Sequence, residues 1–109
     1  MILRKWDSRI RSSDEAEYVA YIERTGSADY AGTPGNLGYQ ILLRRNGDGT
    51  SSVTTLSWWR DIEAIKRFAG EDYEQARYYP EDEQYLIELT EHVEHFEVAA
   101  DHRRARDLQ

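Results

Sequence analysis

Cysteine is absent from this 109-residue chain. That excludes disulfides, thiolate metal sites and thiol nucleophiles, and it leaves the redox state of the compartment unmarked. Proline occurs only twice, and no low-complexity tract, internal repeat or interdomain linker breaks the chain. No apolar run is long enough to span a bilayer. No signal sequence is expected, because Met1-Ile2-Leu3-Arg4-Lys5 leads directly into a strand-like pattern. A cytoplasmic protein with no membrane partner is the expectation. Basic surface is scarce as well. The net charge is −7, and the stretch from Glu71 to Glu97 holds ten acids against one base, Arg77. Nucleic-acid binding needs a basic face that displaces counterions, so no nucleic-acid partner is expected. Arg103, Arg104 and Arg106 form a small basic tip offset by Asp101 and Asp107, which reads as a solvated helical tail.

What is present suits one domain, placed at residues 1–98 with a polar C-terminal tail over 99–109. A core of this size is modest, and pairing with a second copy would help cover apolar surface. Alternation predicts a first strand over Ile2–Ser8. Ser12 and Glu15 have the spacing of a capping box, opening a helix to about Thr25. Its expected buried side is Ala16, Val19, Ala20 and Ile22, and Gly26 is the expected left-handed terminator. Tyr30 to Asn36 reads as an irregular turn. Two strands, Leu37–Arg45 and Ser52–Trp59, flank the hairpin signal Asn46-Gly47-Asp48-Gly49. Asp61 caps a helix carrying Ile62, Ile65, Phe68 and Ala69, and Gly70 closes it. Pro80-Glu81-Asp82-Glu83 can open a short further turn, and His92–Val98 is the last strand. The order strand, helix, strand, strand, helix, strand predicts an α+β fold of the ferredoxin-like, split βαβ kind. It has a four-stranded antiparallel sheet with both helices on one face.

The other sheet face must be solvated or covered. Placing Leu3, Leu56, Phe96 and Val98 beneath the helices leaves Arg4, Trp6, Ser8, Thr55, Ser57, Trp59 and His95 on the open face, with Trp58 under the helices. Large rings beside arginine, serine and histidine suit neither a dry core nor a bare surface. A homodimer formed through this face, enclosing a partly polar cavity, accommodates both kinds of residue.

The segment Trp59-Arg60-Asp61-Ile62-Glu63-Ala64-Ile65 resembles the strand–helix junction of the antibiotic biosynthesis monooxygenase family of dimeric α+β barrels. Phe68-Ala69-Gly70-Glu71-Asp72, Ala76 to Asp82, Val93 to Val98 and Pro34 to Gly38 resemble one branch of it, so the resemblance spans most of Leu3 to Val98. It implies a dimeric α+β barrel. It also implies one of several activities: cofactor-independent oxygenation of polyketide-type aromatics, oxidative haem breakdown, quinol oxidation or small-molecule binding. The haem-degrading members carry a histidine after the second helix and an asparagine on the first strand. Here Tyr73–Asp82 holds no histidine, and Arg4, Lys5, Trp6 and Asp7 stand on the first strand. Haem breakdown is therefore not the expected activity, and no cofactor is expected.

His92 and His95 are three apart on a strand and face opposite sides, so no metal site is expected. His95 is a candidate catalytic base or donor because its pKa lies near neutrality, or else an interfacial histidine bonded across a dimer. Arg4 is a candidate to hold a carboxylate or enolate oxygen, or else the ion-pair partner of Glu94 or Glu97. Trp6 and Trp59 could sandwich a planar aromatic ligand, with Ser57 as a polar handle, or simply pack. Tyr79, fixed by Pro80, could close the pocket mouth, or Tyr78 and Tyr79 could anchor a loop. Two functions fit these residues. One is a cofactor-free monooxygenase of a small aromatic or polyketide-type substrate. The other is a non-catalytic small-molecule-binding or structural dimer.

Overall fold

Strict alternation of burial along Ile2–Arg11 and Thr50–Trp59, two of three ten-residue strands, builds the centre of the sheet. The computed structural model describes residues 1–103, and its strands are β1 (Ile2–Arg11), β2 (Asn36–Arg45), β3 (Thr50–Trp59) and β4 (Glu94–Glu97). They form one antiparallel sheet in the order β2-β3-β1-β4, as the ferredoxin-like reading requires. The Asn46–Gly49 turn joins β2 to β3 as expected. The Asp48 carboxylate accepts from the Thr50 amide at 3.0 Å, and Gly47 and Gly49 take φ of 84° and 88°, which favour glycine.

The helices are α1 (Glu15–Arg24), α2 (Gly26–Gly32), α3 (Ile62–Ala69) and α4 (Asp82–Tyr85). α3 forms as anticipated. The Asp61 carboxylate accepts from the Ala64 amide at 2.9 Å, and Gly70 ends the helix at φ 87°. The first helical region departs from expectation in three ways. Ser12–Asp14 is a 3-10 turn, and no side chain caps α1. Instead the Ser12 hydroxyl meets that of Ser51 at 2.8 Å, and Ser51 donates to Glu15, so the residues of the supposed capping box fasten α1 to β3. Gly26 is not a left-handed terminator. The chain pivots at Thr25 (φ −118°, ψ −91°) and α2 begins at Gly26, replacing much of the expected turn. The buried side of α1 is Tyr18, Tyr21 and Ile22, while Ala16 and Ala20 are exposed.

The larger correction concerns the sheet faces. Arg4, Trp6, Ser8 and Ile10 on β1 are buried, as are Ser51, Val53, Thr55, Ser57 and Trp59 on β3. These residues lie beneath the helices. Leu3, Lys5, Leu56, Trp58, Phe96 and Leu42 share the opposite face. The grouping by alternation is right and its assignment is reversed. The helices present tyrosine rings rather than small aliphatics, and the Ser and Thr side chains of β1 and β3 leave room for those rings. Two packed clusters result. One joins Trp6, Ile10, Tyr18, Tyr21, Ile22, Val53 and Val93, and the other joins Tyr30, Trp59, Ala64, Ile65 and Phe68. Residues 99–103 contain no helix. Arg103 stacks its guanidinium 4.2 Å from the Trp58 ring centre, while Arg104, Arg106 and Asp107 lie outside the described residues. No helix among the described residues is long and apolar enough to cross a membrane.

Candidate functional site

The two clusters meet along β1, and a cavity opens between them and the helices. The enclosed space is about 40 Å³, room for a few waters or part of one ring. Its wall is aromatic where Trp6, Tyr30, Phe68 and Tyr78 face it, and its charged members are Arg4, Arg77 and Asp82.

Arg4 is 3% exposed. Its Nη2 donates to the Gln75 carbonyl at 3.2 Å, and its guanidinium carbon lies 5.3 Å from the Phe68 ring centre. Its Nε has no acceptor. No carboxylate lies within ion-pair distance of it among the described residues, so the pairing with Glu94 or Glu97 does not occur. Burial lowers its pKa below the ordinary arginine value, with nearby Tyr30 opposing that shift, although a guanidinium remains charged at any physiological pH.

The other polar groups are already engaged. Tyr18 donates to the Asp82 carboxylate at 2.8 Å, and the Tyr79 amide donates to the same carboxylate at 2.6 Å. Burial raises the Asp82 pKa, with those two bonds opposing. Tyr79 donates its hydroxyl to Asp29, and burial together with that bond raises its pKa. Arg77 reaches Asp29 at 3.1 Å, donates to the Phe68 carbonyl at 2.7 Å, and stacks 4.9 Å from Phe68 and 5.1 Å from Tyr79. Trp6 Nε1 donates to the Tyr78 hydroxyl at 3.4 Å, which in turn donates to the Thr90 carbonyl. The loop from Tyr73 to Pro80 is thereby clamped over the cavity.

The predicted residues divide. Arg4, Trp6 and Tyr79 line the cavity, although inside the monomer rather than at the open face. Trp59 is fully buried and donates from Nε1 to Ser57 at 2.9 Å. Those two do not reach the lining, but Trp59 backs Tyr30 and Phe68, which do. Trp58, expected under the helices, lies on the open face. His95 is the direct cross-strand neighbour of Arg4 and stands edge-on to Tyr73 at 5.3 Å, outside the cavity lining. Its Nε2 is buried without a partner, and burial, reinforced by the Arg4 charge, lowers its pKa. No group of three metal-ligating side chains occurs among the described residues.

Tyr18, Tyr30, Phe68, Arg77 and Asp82 also line the cavity and were not anticipated as site residues. Arg77 carried a usable signal as the single base inside the acidic stretch from Glu71 to Glu97. Tyr18, Tyr21 and Ile22 carried another, since their three- and four-residue spacing marks one helix face.

A sheet ordered β2-β3-β1-β4, with helices on one face and a cavity between, is the α+β fold of the antibiotic biosynthesis monooxygenase-like proteins. A candidate antibiotic biosynthesis monooxygenase of Bacillus cereus superposes with a TM-score of 0.61 at 15% identity, over 94% of this chain and 97% of that one. A point mutant of MhuD with two manganese protoporphyrin IX per active site gives 0.59 at 17% identity, over 95% and 100%. A haem-degrading protein of Mycobacterium tuberculosis, haem-free, gives 0.52 at 21% identity, over 94% and 100%. At these identities the likeness is one of fold. Neither a protein-family model nor a curated protein matches the chain.

Proposed function

We propose that this chain is a cofactor-free oxygenase of a small aromatic substrate bound between its sheet and its helices. The observation that carries the reading is an aromatic-walled cavity, open on one side, built around a buried guanidinium that has no carboxylate partner. Trp6 and Phe68 flank the ring, and Tyr79 stands at the mouth. Arg4 steadies an oxygen anion, Trp59 holds the wall behind with Ser57 as its hydrogen-bond acceptor, and His95, outside the lining and beside Arg4 on β4, takes the substrate proton through one intervening water. The carbanion so formed adds to dioxygen. Loss of water then leaves a carbonyl where a methylene stood, so one oxygen atom enters the product and the other departs in water.

Two of the structural neighbours have haem-related descriptions, but the residues here do not fit a porphyrin. The enclosed space is about 40 Å³, no histidine lines it, and the hydroxyls of Tyr18, Tyr78 and Tyr79 are given to protein acceptors. The test is oxygen uptake with a panel of single-ring phenols, each carrying an enolisable methylene group. Uptake that disappears in a folded His95→Ala variant is expected. No uptake with any of them rejects the oxygenase reading.

A second reading, a non-catalytic binding protein, is favoured by the position of His95 outside the lining. It predicts ligand binding without oxygen uptake. In either case we propose a homodimer through the open sheet face, where half-buried Leu3, Leu56 and Trp58 and exposed Leu42 and Phe96 form an apolar patch.

A further inference from the structure

We propose that the ligand of this cavity is a single-ring aromatic acid whose carboxylate pairs with Arg4. The inference rests on the reading of the cavity as a small-aromatic site. It adds that the anion is permanent rather than formed during a reaction.

A guanidinium taken out of water is costly unless an anion and full hydrogen bonding compensate it. The Gln75 carbonyl accepts from Arg4 and the Tyr30 hydroxyl lies beside it, but no anion faces it and its Nε has no acceptor. The acids that line or flank the cavity are not available to it. Asp82 is held by Tyr18 and by the Tyr79 amide, and Asp29 is held by Arg77 and the Tyr79 hydroxyl. Recruiting Asp82 would orphan the buried Tyr18 hydroxyl and the Tyr79 amide, and recruiting Asp29 would break its pair with Arg77. The Arg77 guanidinium carbon lies against the same Phe68 ring as that of Arg4, at 4.9 Å and 5.3 Å from its centre. The remaining wall is aromatic, so a ring attached to the anion would meet Trp6, Tyr30 and Tyr78. The space of about 40 Å³ takes part of one ring, and its open side leaves room for the rest of that ring but not for fused rings.

The kind of anion follows from ordinary acidities. A phenol titrates near 10 and is neutral at pH 7, whereas a carboxylic acid near 4 is already ionised. A carboxylate also offers two oxygens to the planar fork of a guanidinium. An amide of the same shape offers no charge and leaves Arg4 unpaired.

The experiment compares benzoate with benzamide, matched in shape, by calorimetry and tryptophan fluorescence at pH 7. Benzoate should bind at least tenfold tighter. Arg4→Gln should bring the two to the same affinity, while Arg60→Gln, which removes one exposed charge at the β3–α3 junction, should keep the difference. In the unmodified protein, the Arg4 Nε–H proton resonance should shift with benzoate and stay in place with benzamide, a readout that does not depend on the variant folding. Equal affinities, no binding of benzoate, an unmoved Nε–H resonance, or a preference that survives Arg4→Gln would overturn the proposal. All these are equilibrium measurements. An Arg4-dependent preference without oxygen uptake rejects the oxygenase and keeps this inference, and uptake without the preference does the reverse.

Discussion

Arg4 stands against Phe68 with one carbonyl for a partner, and its position costs the fold free energy. Replacing a buried charge by an apolar side chain of similar length is often neutral or stabilising. Arg4→Met should therefore raise the unfolding free energy by about 1–3 kcal/mol, read from urea melts, while losing the preference for benzoate. A fall in stability would mean that Arg4 already has its compensation. His95 makes a pH-dependent contribution of known sign. Burial and Arg4 hold its folded pKa below the usual value, so the unfolded chain binds the His95 proton first as pH falls. The His95 contribution is complete above about pH 6.5, the unfolded value, and is lost as pH drops through that value toward the folded pKa. Melts between pH 7.5 and 5 should show a steeper loss in the natural chain than in His95→Gln. Parallel curves would remove His95 as the source.

At the scale of elements, α3 depends on two contacts that local sequence only half announces. The Asp61 cap was legible, because an acid before Ile62 and the closing Gly70 follow known end rules. Asp61→Ala should cost about 1 kcal/mol. The seat of α3 was not legible. A side chain at Gly35 would place its Cβ 2.5 Å from that of Ala64, at φ +94°, and the Gly35 carbonyl accepts from the Arg60 amide at 2.9 Å. Gly35→Ala should lose about 2–4 kcal/mol from left-handed strain and overlap together, far more than the same change at open Gly32. Comparable melts for the two variants would sink this account. α1 shows the opposite failure. Its residues were read as helical, but alanines were assigned to the core because they are small and apolar, and the tyrosines were not. Tyr18 and Tyr21 enter the core because they can bury a ring and still satisfy a hydroxyl, on Asp82 and on the Glu81 amide.

For the molecule as a whole, the question is what covers the second sheet face. Leu56 and Trp58 sit half-buried there, and Phe96 and Leu42 are exposed. Sedimentation should show a dimer, and Leu56→Glu should give a folded monomer whose cavity still binds benzoate. A monomer in the unmodified protein would leave this face to solvent and end the dimer proposal.

The order of the four strands, the hairpin and α3 were determined by the sequence alone, because periodicity, caps and turn glycines are local and act within a few residues; α2 was not. The set of residues that share a sheet face was determined as well: Arg4, Trp6, Ser57, Trp59 and His95 do lie together, since side chains alternate strictly along each strand. Which of the two faces the helices cover is invisible to that pattern, because the period-two signal is unchanged when both faces exchange roles. Only the tertiary structure decided it, through the fit of tyrosine-bearing helices over serine and threonine. The same fit carried Arg4 from an expected dimer interface into the interior, where its charge has no carboxylate partner among the described residues.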